Sequence, residues 1–92
     1  EVNDYRNQFM TSADYMIDIR GRRAEESEFE VTKFLDNANQ AGLARVEILH
    51  GKGTGVLKKV VKDILSKHEN VKNFYFAGIE HGGDGITIVE LK

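Results

Sequence analysis

Residues 46–59 limit the possible folds more than any other stretch of this chain. An apolar run (Val46, Ile48, Leu49) leads into His50, then into Gly51-Lys52-Gly53-Thr54-Gly55, and a strongly patterned helix follows at once. Glycines at alternate positions permit φ > 0 and remove the Cβ atoms that would keep a ligand from the amides. The first turn of a helix carries unpaired N–H groups and the positive end of the macrodipole. Strand, glycine turn and helix N-terminus therefore make a place where an anion, most often a phosphate, can sit. His50 and Lys52 flank that place with a titratable ring and a fixed positive charge.

The other segments can be ordered around this one. Residues 15–21 read as a short strand, with Ile17 and Ile19 on one face and Asp18 and Arg20 on the other. From 22 to 41 the period changes, and Ala24, Ser27, Val31, Phe34, Leu35 and Ala38 follow the spacing of an amphipathic helix. Gly42 lies where a helix-ending glycine is expected, whereas Arg22 and Arg23 are poor N-caps. A second strand spans 43–49 and a second helix 55–67, with one apolar stripe from Val56 to Leu65 and Lys58, Lys59 and Lys62 on its solvated side. Residues 71–77 read as a third strand, 78–85 as a loop and 86–91 as a fourth strand with no polar face, which predicts a central position for it. Residues 1–14 are polar and read as a linker or frayed arm.

The order β-α-β-α-β-β predicts an α/β two-layer sandwich of two helices on a four-stranded mixed sheet. Each crossover helix implies a parallel pair, and the loop before the last strand allows an antiparallel partner. Ligands bind beyond the carboxyl ends of parallel strands. Those ends carry Asp18 and Arg20, then His50 to Gly55, then the loop with His81, so one shared edge is expected.

Composition narrows the chemistry. The chain has 92 residues, one domain's worth, and no cysteine, so disulfides and thiolate metal sites are excluded. No apolar run approaches the roughly 18 residues of a membrane span, and no signal peptide appears, which fits a cytoplasmic location and no membrane partner. A first residue other than methionine suggests a piece of a longer protein. The net charge of −2 argues against a bulk polycation, so any nucleic-acid contact must be a local patch. The glycine turn lacks the spacing of a Walker loop, and Val56 breaks the dinucleotide fingerprint. His50 and His81 alone are a weak metal signal. On the plainest view, Asp18 pairs with Arg20, Arg22 or Arg23.

Taken together, Ile17-Asp18-Ile19-Arg20-Gly21, His50-Gly51-Lys52-Gly53-Thr54-Gly55 and Gly82-Gly83-Asp84-Gly85 before a final apolar strand resemble the Smr (small MutS-related) domain, over residues 15–91. The likeness is strongest to the domain at the C-terminus of bacterial type-two MutS proteins. It implies a fold like the C-terminal domain of translation initiation factor three, and endonuclease activity: nicking of DNA or cleavage of RNA. The implied parent is a homodimeric, ATP-binding MutS-like protein that suppresses recombination or rescues ribosomes, while the domain alone is expected to be a monomer. Carried over, the family motifs fall on Asp18, Arg20 and Gly21, and on His50, Gly51, Lys52, Gly53 and Gly55. Many family members have histidine where this chain has Arg20. An arginine neutralises phosphate but exchanges no proton near pH 7.

The resulting expectation has His50, Asp18 and Arg20 as catalytic residues, with His50 the single proton-transfer group and Asp18 orienting it or, as the lesser alternative, holding a divalent ion. Gly51, Lys52, Gly53, Thr54, Gly55, Arg22, Arg23 and His81 are expected to bind nucleic acid. No resident metal site is expected, although a divalent cation such as Mg2+ can assist such chemistry. A non-catalytic nucleic-acid or ribosome binding module is the alternative, and nucleotide or metabolite binding is a more distant third.

Overall fold

The structure, a computed structural model, describes residues 15–92. The arm expected over 1–14 lies outside the described residues. Strand β1 (Met16–Asp18) is shorter than its pattern suggests, because the chain turns early. Arg22 N–H reaches back to the Ile19 carbonyl, and Gly21 takes φ 79° to allow it.

Helix α1 (Ala24–Gln40) buries Ser27, Val31, Leu35 and Ala38, one stripe at helical spacing. Its N-cap is Arg23, and the missing cap is supplied from inside the helix: the Glu26 carboxylate accepts from the Arg23 N–H at 3.1 Å. At the other end Gly42 adopts φ 77°, and Leu43 N–H closes onto the Ala38 carbonyl. Strand β2 (Arg45–Leu49) sends Val46 and Ile48 to the helices. Helix α2 (Val56–Lys67) buries Val61 and Leu65 but leaves Val56 exposed, so the expected apolar stripe starts one residue later. Its last turn is tied to α1 by His68 Nε2 and Asp36 Oδ1, 3.0 Å apart.

Strand β3 (Val71–Phe76) is followed by two single 3-10 turns, Ile79–His81 and Gly83–Gly85, and by β4 (Ile86–Leu91). The sheet order is β1-β2-β4-β3, with β1 and β2 parallel and β4 antiparallel to both β2 and β3. The first crossover makes a hydrogen-bonded parallel pair, as expected. The second does not: β2 and β3 run the same way, but β4 lies between them. Burial explains the insertion. Ile86 and Ile88 are buried on one face of β4, and Thr87, Val89 and Leu91 on the other, so this strand takes the place with two neighbours. Strand β3, with Lys72, Asn73 and Tyr75 exposed, takes the edge.

The main core lies between the helices and one face of the sheet, around Ile19, Leu35, Val46, Ile48, Val61 and Val89. A smaller cluster on the opposite face joins Ala77, Ile86 and Ile88 to Met16 and Leu49. Among the described residues no helix is long and apolar enough to cross a membrane. The carboxyl ends of β1, β2 and β3 lie together at one end of the sheet, beside the start of β4: Asp18 pairs with Leu49, Leu49 with Ile86, and Phe76 with Thr87.

Candidate functional site

The turn between β2 and α2 is built as its glycines require at two of three positions. Gly51 has φ 80° and Gly55, the residue before the helix, has φ 91°. Both values are rare for a residue with a Cβ. Gly53 has an ordinary φ, so its expected role in bending the backbone is not needed. The turn is anchored from below, because the Gly85 carbonyl accepts from both His50 N–H (3.1 Å) and Gly51 N–H (2.9 Å). Above it, no side chain caps α2 closely: Thr54 Oγ1 stands 3.4 Å from the Val56 amide. The first amides of α2 therefore open into a cleft of about 740 Å³, lined by Arg20, Arg22, Arg23, His50 and the whole 51–58 segment.

Arg20 is held at this cleft from behind. Its Nε and Nη2 donate to the two oxygens of Asp18 at 3.0 and 2.8 Å, and its backbone N–H donates to Asp18 Oδ1 at 3.0 Å. These hydrogen bonds from Arg20 hold the Asp18 carboxyl down at about 2, and the same pairing raises the Arg20 pKa. The Arg20 stem lies against the turn, with Cγ 3.4 Å from where a Gly51 side chain would begin. Arg22 lines the cleft but is paired with Glu30, and Arg23 lines it at the start of α1. Lys52 projects into solvent with its Nζ 3.8 Å from Asp84.

His50 is the buried member of the site, only 5% exposed. Nδ1 lies 2.9 Å from the Gly51 carbonyl, and Nε2 lies 2.7 Å from Thr87 Oγ1. A carbonyl only accepts, so Nδ1 carries a proton, and in the neutral ring Nε2 accepts from the Thr87 hydroxyl. The Phe76 ring stands edge-on, with centroids 6.2 Å apart. The expected orienting partner was Asp18, and the structure corrects this. Both Asp18 oxygens are engaged by Arg20, and Asp18 follows Ile17 onto the opposite face of the sheet, so Thr87 and Gly51 hold the imidazole instead.

Two further differences concern charge and placement. Lys58, read as part of a solvated face, is largely covered: it donates to Asp84 at 2.8 Å and lies 5.6 Å from the Phe76 ring centroid. That hydrogen bond pulls the Asp84 pKa down. His81 is exposed on the first 3-10 turn and is not among the residues lining the cleft. The site does not fit a resident Mg2+, because both Asp18 oxygens accept from Arg20 and no three carboxylate or histidine side chains converge among the described residues. Sequence reasoning missed the roles of Thr87 and Asp84. The signal for Thr87 was present, since it is the one polar residue on the row with Val89 and Leu91.

Alanine substitutions distinguish the two jobs a glycine can have here. Gly55→Ala puts a side chain at φ 91° and is expected to cost about 1–2 kcal/mol of stability. At Gly53 an added Cβ meets nothing within 4 Å, so Gly53→Ala leaves the melting temperature unchanged. If an anion approaches the backbone of the turn, Gly53→Ala still weakens oligonucleotide binding. Unchanged affinity in that variant would mean that no ligand comes close to Gly53.

Comparison with known proteins agrees with this architecture. The model of the Smr domain family matches residues 17–92. The Endonuclease MutS2 of Clostridium botulinum (strain Eklund 17B / Type B) is 53% identical over 76 residues, 83% of this chain and 10% of that protein. The Endonuclease MutS2 of Geobacillus sp. (strain WCH70) is 51% identical over the same share of each. This chain thus spans about a tenth of the length of the curated relatives it matches. Among solved structures, the Smr domain of Thermus thermophilus MutS2 superposes with a TM-score of 0.82 at 36% identity, covering 84% of this chain and 96% of that one. YdaL, a stand-alone small MutS-related protein from Escherichia coli, has the same TM-score at 27% identity, over 86% of this chain and 65% of its own. With the family motifs at one end of a sheet of the same fold, this chain belongs to the Smr domain family.

Proposed function

We propose that this Smr domain is an endonuclease domain that cleaves phosphodiester bonds of nucleic acid. The observation that carries the reading is the opening of the α2 amides into a cleft ringed by Arg20, Arg23 and Lys52, in a chain whose net charge is −2. Positive charge concentrated at one point of an acidic chain suits a single phosphate rather than a general coating of nucleic acid. The names of the MutS2 relatives support the same class of reaction.

In this reading the amides of the turn, with Arg20 and Lys52, stabilise the charge that develops on the phosphate. Asp18 keeps the Arg20 guanidinium in place. On RNA, the neighbouring 2′-hydroxyl attacks phosphorus as it loses its proton, and the 5′-oxygen leaves with a proton. On DNA, water takes the place of the hydroxyl. For His50 to carry either proton, substrate must take over one of its two hydrogen bonds. The bond to the Gly51 carbonyl is the candidate, because it lies in the turn that receives the phosphate. Once it opens, the ring proton moves to Nε2, which then donates to Thr87 Oγ1, and the bare Nδ1 takes the nucleophile's proton and returns it to the leaving 5′-oxygen. Within a longer MutS2-like protein, such a domain would make the cut in recombination suppression or ribosome rescue.

A second reading, a binding module, is favoured by one observation: His50 is buried with both nitrogens already engaged. Labelled single- and double-stranded RNA and DNA, incubated with and without chelator, separate the two. The endonuclease reading expects cleavage of at least one substrate. Binding with every substrate left intact would establish the module instead.

A further inference from the structure

A second groove, about 460 Å³, runs between α2 and the edge strand β3 and shares Gly55 and Lys58 with the cleft at the turn. One wall is lysine: Lys58, Lys59 and Lys62 recur along one side of the helix. The other wall is aromatic. Phe74 and Phe76 stand two residues apart on the helix-facing side of β3, and Phe76 is 54% exposed although Lys58 lies over part of its ring. A large aromatic face left open to water beside several cations is not explained by core packing. It matches one ligand chemistry, a flat π-system attached to an anion. A nucleotide has both parts, and aromatic faces beside lysines are how single strands are held without regard to sequence.

We propose that this groove holds an unpaired nucleotide next to the phosphate seated on the turn, with its base stacked on Phe76 and its phosphate near Lys59 and Lys62. The inference rests on the nucleic-acid reading of the turn and adds to it a preference for single-stranded substrate. A base inside a duplex has both faces covered by its neighbours, so it cannot stack on Phe76. Asp63 pairs with Lys59 at 3.8 Å on an exposed surface, a contact weak enough for a phosphate to replace. Stacking and phosphate pairing involve no 2′-hydroxyl, so the groove accepts RNA and DNA alike.

The test measures the affinity of the whole chain for a labelled oligonucleotide by fluorescence anisotropy, as single-stranded RNA, single-stranded DNA, and each annealed to its complement. Phe76→Leu keeps an apolar side chain but removes the ring face. It is expected to weaken single-strand binding roughly 5- to 150-fold and to leave duplex binding unchanged. Lys62→Gln, on the exposed surface of α2, cannot unfold the domain. It should weaken single-strand binding modestly and lower its salt dependence, by a slope of about 0.7 for one lost phosphate contact. A loss in only one of the two single strands would overturn sugar-blind stacking and phosphate pairing as the way the groove holds its nucleotide. Unchanged single-strand affinity in both variants would overturn the groove while leaving the phosphate turn standing. Failure of the unmodified chain to bind any of the four probes would overturn the nucleic-acid reading and the groove with it.

Discussion

His50→Ala should lower phosphodiester cleavage by roughly 10²–10⁴-fold, the usual range for a lost general acid or base. Affinity for the same substrate should fall about tenfold or less, because one neutral hydrogen bond is worth only about 0.5–1.5 kcal/mol. The glycine amides, Arg20 and Lys52 all remain in the variant, so the split between rate and affinity separates proton transfer from binding. The pH profile gives the same answer independently. Asp18, held at about 2, stays ionised throughout the range in which histidines titrate, so an inflection there does not belong to it. Its depressed pKa has the opposite reach. The stability it lends is complete above 3.8 and is lost only as the pH falls toward about 2. A bend in the rate between pH 5 and 8 that disappears in His50→Ala but survives in His81→Ala would assign the proton to His50. Near-normal cleavage by His50→Ala would leave the ring only its structural contacts to Thr87 and Gly51.

Arg20→Ala carries the second large effect. Removing one preorganised donor to a developing oxyanion typically costs about 10²–10³ in rate. The pair it forms with Asp18 is exposed, 60% and 47%, so folding should hardly change. Arg20→Lys is not expected to rescue activity. A lysine ammonium keeps the charge but cannot reproduce the two parallel bonds to Asp18 that aim the guanidinium. Turnover measured at saturating substrate, with a melting curve for each variant, makes the comparison. Unimpaired turnover in Arg20→Ala would move the reacting phosphate away from β1.

Patterns that are local in the sequence predicted local structure well, and less well the contacts between distant segments. The stripe of Ser27, Val31, Leu35 and Ala38 gave α1, and the unbroken apolar character of Ile86, Ile88, Val89 and Leu91 placed β4 inside the sheet. The shared edge of Asp18 and His50 followed from strand direction alone. What no period can show is which strand pairs with which, so the insertion of β4 between β2 and β3 was not legible. The partners of His50 were hidden for the same reason. Thr87 lies 37 residues away, and its hydroxyl reaches the imidazole only because β4 is inserted next to β2. Lys58 looked like any exposed helical lysine until the turn carrying Asp84 and the ring of Phe76 closed around it.

The Gly85 carbonyl, which receives the amides of both His50 and Gly51, makes the site depend on a distant part of the chain. The glycine turn is synthesised some thirty residues before its anchor, and β4, which follows the anchor directly, sits inside the sheet. A growing chain that has reached only β3 has the turn, Arg20 and Lys52, but neither the carbonyl that pins the turn nor the hydroxyl that holds His50. A chain that stops short of Gly85 and Thr87 therefore carries the glycine turn without the contacts that hold the turn and the imidazole in place.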